Sequence, residues 1–207
     1  MMVRSLLILY AVLVWLGPAS VSAQVKPAKP PLQLAAEIIS QNYCAASSDA
    51  LTLEMNLKLR YQNVGNQKLI LYRGHDLFYQ TRVRSAGSQP YEVLFLNSRY
   101  FDSEFESIDQ AVPGKVFVSL SPGSVYERNL QVGIALVPEG VERGNSAIAV
   151  GDHTLQLIVS TWYKQRSLAE KLRKQWESNG LLWSDPLVSP PVHFLAERPQ
   201  APPPCKR

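Results

Sequence analysis

Residues 51–62 read LTLEMNLKLRYQ, and this stretch decides the fold class of the chain. Every second residue from Leu51 to Tyr61 is apolar, and the residues between them are polar or charged. This alternation predicts a β-strand, because helical spacing would scatter the apolar side chains around the axis. One face of the strand is expected to enter a core while the other meets water, as in an antiparallel sheet.

Further strand patterns lie on both sides of this stretch. After a turn at 63–66, residues 68–73 return as a strand, and we predict that the two strands form a hairpin. Other strands are predicted at 32–40, 77–84, 91–96, 116–120 and 126–137. Short strands separated by turn signals, in a chain of one-domain length, are typical of a β-sandwich.

Residues 151–194 combine a strand pattern, a helix pattern and a final apolar strand pattern. The helix is predicted from Ser167 to Asn179. Ser167 and Glu170 have the spacing of a capping box at its start, and Gly180 suits its end. Glu170 also precedes Lys174 by four residues, the favoured direction for a helical ion pair.

One face of this helix is apolar. Leu168, Leu172 and Trp176 follow one another at a spacing of four, and Ala169 joins them. Such a stripe predicts a helix that packs against other elements, across one open end of the sandwich or over a sheet face.

A short motif refines the fold class. Residues 149–157 read AVGDHTLQL and resemble the start of the penultimate strand in immunoglobulin-like and fibronectin-type domains. In those domains a tyrosine hydroxyl bonds back to the backbone, and His153 stands at the position of that tyrosine. The mature chain as a whole resembles secreted bacterial β-sandwich proteins, a resemblance that implies no activity. The expected fold is therefore mostly β: an antiparallel immunoglobulin-like sandwich with one α-helix, about Ser167 to Asn179, inserted between the last two strands.

The first 23 residues predict a cleaved secretory signal peptide. They carry one charge, Arg4, and an apolar run from Leu6 to Leu16, which is shorter than the ~20 residues that span a bilayer. Small residues at 21–23 suit a signal peptidase; the alternative is an uncleaved membrane anchor. The mature protein is expected to be secreted or periplasmic, without a membrane span.

The mature chain is predicted to form one domain. Residues 24–31 form a proline-rich leader, residues 32–196 the sandwich and residues 197–207 a proline-rich tail. The formal net charge is +4 for the whole chain, and loss of Arg4 lowers it to +3. A net charge this small does not indicate a nucleic-acid partner, because phosphate binding requires a concentrated cluster of basic residues.

The two cysteines, Cys44 and Cys205, lie near opposite ends of the mature chain. In an oxidising compartment we expect them to form one internal disulfide that closes the domain. Intermolecular pairing through the tail and two free thiols are the alternatives.

A group of aromatic and basic residues near the helix is the candidate binding site. Its members are Trp162, Tyr163, Lys164, Arg166, Lys171, Lys174 and Trp183. Aromatic faces and cations together can stack on sugar rings or hold a polyanion. The alternative interpretation, which the apolar stripe favours, is that Trp176 and Trp183 pack the helix onto the sheet. The cations then form the solvent-exposed face of the helix.

Other clusters give weaker signals. The acidic residues are Asp102, Glu104, Glu106 and Asp109. On a strand, alternate members would lie ~6.6 Å apart, too far to share one calcium ion, so a solvated loop or edge is favoured. The histidines, His75, His153 and His193, have no zinc-binding spacing. We expect neither a metal nor a cofactor.

No serine-hydrolase elbow, Walker loop or dinucleotide fingerprint occurs in the sequence. The chain is therefore expected not to be an enzyme. The leading hypothesis is an extracytoplasmic binding or interaction module whose partner is a protein or glycan of the envelope or medium. A structural or accessory component of an envelope assembly, presenting a sheet edge to a neighbour, is the alternative. A hydrolase is the weakest of the three.

Overall fold

The computed structural model describes residues 30–47, 50–74, 77–85, 91–99, 105–106, 108, 111–137, 146–162 and 164–205. The predicted signal peptide and most of the predicted leader lie outside the described residues. So do His75, Tyr163 and three of the four clustered acids, Asp102, Glu104 and Asp109. Within the described ranges, no helix is long and apolar enough to cross a membrane.

The described chain is mostly β, as predicted. Its strands are β1 (Leu32–Ala45), β2 (Leu51–Asn63), β3 (Leu69–Tyr72), β4 (Leu77–Ser85), β5 (Glu92–Arg99), β6 (Phe117–Leu120), β7 (Val125–Leu136), β8 (Gly151–Ser160), β9 (Leu181–Leu182), β10 (Leu187–Val188) and β11 (Val192–Ala196). The helix α1 (Arg166–Gln175) lies between β8 and β9.

The strands form three sheets. One has the order β1-β2-β7, the second has the order β10-β8-β4-β5 with β11 also paired to β8, and the third has the order β6-β3-β9. All of these pairings are antiparallel except that of β3 with β9. Antiparallel sheets are therefore confirmed.

The alternating stretch at 51–62 is the central strand of the first sheet. Leu53, Met55, Leu57 and Leu59 are buried, whereas Asn56 and Arg60 between them are exposed. The same core receives apolar side chains from the five-stranded sheet, including Leu155 and Leu157 of β8 and Val83 of β4. The inner faces of the two sheets thus share one apolar core, which is the burial that the alternation predicts.

The predicted hairpin between residues 51–62 and 68–73 is wrong. β2 pairs with β1 and β7, whereas β3 pairs with β6 and β9 in another sheet.

The turn at 63–66 leads the chain from the sheet of β2 into the sheet of β3. The buried Asn63 amide donates to the carbonyl oxygens of Gln67 at 2.9 Å and Leu120 at 2.8 Å. Gly65 lies against Pro31, where an added Cβ would come 2.7 Å from the proline Cβ.

β3 is buried on both faces, which explains why it is not half of an exposed hairpin. Leu69 and Leu71 enter the large core, while Ile70 and Tyr72 point into a second, smaller cluster. α1 covers that second face through Ala169 and Leu172, together with Trp176 directly after the helix. The helix therefore covers a sheet face, one of the two placements that its apolar stripe predicted.

The helix runs from Arg166 to Gln175 and not from Ser167 to Asn179 as predicted, and Trp176 caps its C-terminal end in place of Gly180. Gln165 is the N-cap and no side chain bonds to the cap, so the predicted capping box of Ser167 and Glu170 is not formed. The Gln165 N–H donates to the Trp162 carbonyl at 3.3 Å and the Gln165 carbonyl accepts from the Ala169 N–H at 3.0 Å, so the helix starts one residue before the predicted Ser167. Three short strands follow the helix, so it does not lie between the last two strands.

The predicted disulfide between Cys44 and Cys205 is confirmed, with 4.7 Å between the two Cα atoms. Backbone hydrogen bonds align the predicted tail with the end of β1. Ala45 N–H donates to the Pro203 carbonyl at 2.8 Å, and Cys205 N–H donates to the Ala45 carbonyl at 3.0 Å. The tail is thus held against β1 by hydrogen bonds as well as by the covalent bond.

Candidate binding surface on α1

The tryptophans of the candidate site are buried. Trp162, Trp176 and Trp183 are 2%, 0% and 8% exposed. The indole N–H of Trp162 donates to the Trp183 carbonyl at 3.1 Å, and that of Trp183 donates to the Asp185 carbonyl at 2.8 Å. Neither Trp162 nor Trp183 can offer a ring face to a ligand, so the prediction that they stack on one is corrected: both are part of the packing.

The rings form a cluster between α1 and the sheet β6-β3-β9. The Trp176 ring meets the Phe117 ring edge-on at 4.9 Å, and the Trp162 ring meets the Phe105 ring edge-on at 5.2 Å. Tyr72 of β3 stacks on Phe105 at 5.4 Å. Edge-on and offset contacts of this kind are favourable beyond the area that they bury. The cluster therefore gives α1 a rigid base.

The cations of the candidate site lie on the solvent side of this base. Lys164, Arg166, Lys171 and Lys174 are exposed. Residues 164–177 contain five cations and two acids, a net charge of +3. This equals the net charge of the whole predicted mature chain, so the positive and negative charges of its remaining residues cancel. The basic charge is concentrated on one element, which the mild overall charge did not reveal.

The expected ion pair between Glu170 and Lys174 is not formed. Among the described residues the ion pairs are Lys58 with Glu127 and Glu92 with two arginines of β4. Holding two long exposed side chains in one geometry costs entropy that a weak surface pair does not repay. Arg166, Lys171 and Lys174 are in no ion pair with any carboxylate in the described part of the chain.

Arg173 has a different role from the other cations. Its side chain is half-buried; the Nε atom donates to the Leu182 carbonyl at 3.1 Å and an Nη atom to the Ser184 hydroxyl at 2.8 Å. These hydrogen bonds attach α1 to β9 and to the residues that follow it. Its position next to Leu172 of the apolar stripe was the only sequence signal that it faces the protein.

A cleft of about 330 Å³ opens at the C-terminal end of α1. Its lining residues are Gln67, Arg173, Lys174, Glu177, Gly180 and Leu181. Gly180 has a φ of +142°, and a Cβ there would come 2.8 Å from the Lys68 carbonyl oxygen, so only glycine lets the helix end lie this close to β3. A second, broad depression of about 590 Å³ runs along Ser167, Lys171 and Lys174. Lys174 belongs to both hollows.

His153 is far from this surface and serves the fold. It is buried, its Nε2 atom lies 2.8 Å from the Ala149 carbonyl oxygen, and its ring stacks on Phe194 at 5.3 Å. The Nδ1 atom has no hydrogen-bond partner among the described groups. Burial lowers the pKa of the imidazole, although its bond to Ala149 and the charge of Asp152 act in the opposite direction.

No group of three or more His, Cys, Asp or Glu side chains within the described ranges could hold a metal ion. His193 is exposed on β11, and Glu106 is the exposed acid of its cluster that the structure describes. No family model, no curated protein and no solved structure matches this chain. The function of the protein therefore has to be argued from its own geometry.

Proposed function

We propose that this chain is a non-enzymatic binding module that acts outside the cytoplasm and takes an anionic partner on the basic surface of α1. The concentration of charge carries the proposal: Arg166, Lys171 and Lys174 are exposed, unpaired with described carboxylates and fixed on one helix. Cations on a rigid helix attract an anionic partner, and the backbone that carries them needs no ordering when the partner binds.

The anionic partner is a protein or glycan of the envelope or medium. With both tryptophans buried, ring stacking on neutral sugars has no exposed indole to use, whereas carboxylate or sulfate groups match the lysines and the arginine. The disulfide between Cys44 and Cys205 supports an oxidising compartment, and with it secretion or export to a periplasm through a cleaved signal peptide.

The proposal is tested by binding to an immobilised sulfated glycan and to immobilised polyglutamate. We expect the protein to be retained at low salt on at least one of them and to be released as salt rises, because screening weakens contacts between exposed charges. The double variant K171E/K174E should lose retention.

The matched control is R60E/R198E. Arg60 lies on β2, and Arg198 follows β11, whose end pairs with the start of β8, whereas α1 follows the end of β8. Both cations are exposed, so the variant makes the same change of net charge away from α1. Retention that falls equally in both double variants would reflect net charge alone and would contradict a site on α1. Retention of neither polymer by the wild-type protein would also contradict the proposal.

A second candidate function is an accessory component of an envelope assembly. It is favoured by one observation: β5 is the last strand of its sheet and pairs with β4 alone among the described strands. Recovery of one stoichiometric envelope protein with the purified chain would support this function over capture of a free ligand.

We also propose that the fold is an immunoglobulin-like sandwich. Two antiparallel sheets with a common core support this assignment, as does His153, whose ring bonds to the backbone four residues earlier at the position where such domains carry a tyrosine. A solved homologue with a different strand order would overturn it.

A further inference from the structure

Sheet edges expose unpaired backbone groups, and proteins normally protect them against pairing with other chains. Most edges of this molecule carry such protection. β1 has an irregular register between Ile38 and Ser40, and its end is bonded to Pro203. On β7, the Tyr79 hydroxyl donates to the Gln131 carbonyl at 3.2 Å, and Ile148 bridges to Leu136.

The remaining edges are short or follow prolines. β6, β9 and β10 have four, two and two residues. β11 has five residues and directly follows Pro190 and Pro191. Short strands and prolines are two of the devices that discourage edge pairing.

β5 carries none of these devices within its described residues. It has eight residues, contains no proline and pairs with β4 in an unbroken register from Glu92 to Arg99. Leu94 is 45% and Leu96 is 62% exposed on its outer face. A long edge strand with exposed leucines is a template for strand addition.

The backbone groups of β5 that point to solvent can be identified from its pairing. Ser85 N–H donates to the Tyr91 carbonyl at 3.0 Å, which places Tyr91 in a hydrogen-bonded pair. In an antiparallel ladder such pairs alternate, so Val93 and Phe95 also face β4. The N–H and C=O groups of Leu94 and Leu96 therefore point away from the sheet.

We propose that β5 pairs antiparallel with β5 of a second copy of this chain, with the two-fold axis at Phe95. In this register Leu94 of each copy lies opposite Leu96 of the other, so four leucine side chains meet on one face. The outward backbone groups of both strands then bond to each other, and the two five-stranded sheets become one continuous sheet.

The charges on β5 favour this arrangement. Glu92, which is held by Arg82 at 3.1 Å and by Arg84, lies at one end of the strand. Antiparallel pairing about Phe95 places the two copies of Glu92 at opposite ends, each across from Ser98. Parallel pairing in register would set them side by side, and like charges directly opposite are unfavourable. The strand is thus self-complementary in the antiparallel sense.

The association is tested by sedimentation equilibrium of the purified protein with its disulfide intact. An edge of one strand buries a small interface, so we expect a dissociation constant in the range of about 1 to 100 µM. The variant L94K/L96K should weaken it at least ~10-fold, because lysines then face lysines across the axis. Leu96→Pro should do the same while keeping the pairing with β4, since the Leu96 N–H does not bond to that strand.

The matched control is I39K/L195K. Ile39 and Leu195 are 55% and 48% exposed on other strands, so the variant removes similar apolar surface and adds the same charge. It should dimerise like the wild type. Thermal unfolding of each variant shows whether it is folded before its association is compared.

The register has its own test. When L94C and L96C are mixed and treated with a mild oxidant, an interchain disulfide should form in the mixture and not in either single-variant sample. A protein that stays monomeric, a dimer that L94K/L96K leaves unchanged, or equal cross-linking in the single-variant samples would overturn the proposal. So would a monomer that binds a synthetic peptide of residues 92–99 of this sequence without dimerising, because the edge would then accept strands only from other chains.

Discussion

His153 fixes the backbone at the start of β8. Its Nε2 atom bonds to the Ala149 carbonyl, and the Ala149 N–H in turn donates to the Tyr91 hydroxyl at 2.8 Å. The backbone of Ala149 is thus held from both sides, by the His153 ring of β8 and by the hydroxyl of Tyr91, which directly precedes β5.

The buried imidazole should make stability depend on pH. Burial holds its pKa below the value of about 6.5 in the unfolded chain, so below that pH the unfolded state binds more protons. The stability contribution is therefore present above about pH 6.5 and is lost as the pH falls through the lowered pKa of the folded state. We expect the melting temperature to be lower at pH 5 than at pH 7.5.

The change His153→Phe should flatten this pH dependence, although the loss of the bond to Ala149 costs about 1 kcal/mol, or ~2–4 °C in melting temperature. His193→Gln is the control, because His193 is exposed on β11. A melting temperature with the same pH dependence in wild type and His153→Phe would show that other groups cause it.

At the scale of the element, α1 shows why a site predicted from sequence divides into two parts. Trp176 and Leu172 face the cluster under the helix, while Lys171 and Lys174 face water. Sequence periodicity predicted the apolar stripe, and the structure confirms it. Periodicity could not show that Trp162, which lies outside the helix, belongs to the same cluster, or that Trp183 is buried in the larger core.

Replacing Trp176 tests whether α1 is an integral part of the architecture. The side chain is fully buried, so Trp176→Ala should lower the free energy of unfolding by about 3–5 kcal/mol, since it removes a large buried ring and leaves a cavity. Denaturant unfolding measures this loss. Gln175→Ala, at an exposed position of the same helix, should change stability by less than ~0.5 kcal/mol. Equal small effects of both changes would mean that the helix is not docked.

For the molecule as a whole, the bond between Cys44 and Cys205 closes a loop of 161 residues in sequence. A long closed loop restricts the unfolded chain, so the double variant C44S/C205S should lose about 2–5 kcal/mol of unfolding free energy. Reduction of the wild-type protein should have the same effect. A reducing agent should leave the variant unchanged, and an equally stable variant would mean that the hydrogen bonds of the tail to β1 are sufficient.

The sequence by itself determined the mostly β character and the apolar faces of β2 and of α1, and it allowed one internal disulfide without excluding intermolecular pairing or free thiols. Local periodicity determines which face of a strand or helix is buried, and two cysteines allow only one internal pairing. Only the tertiary structure showed that β3 belongs to a different sheet from β2. The turn between them is held by residues distant in sequence: Asn63 bonds to Leu120, and Gly65 packs against Pro31. It also decided that Trp162 is buried and that β5 pairs with β4 alone among the described strands. Burial and strand neighbours depend on contacts between remote segments, and no local pattern encodes them.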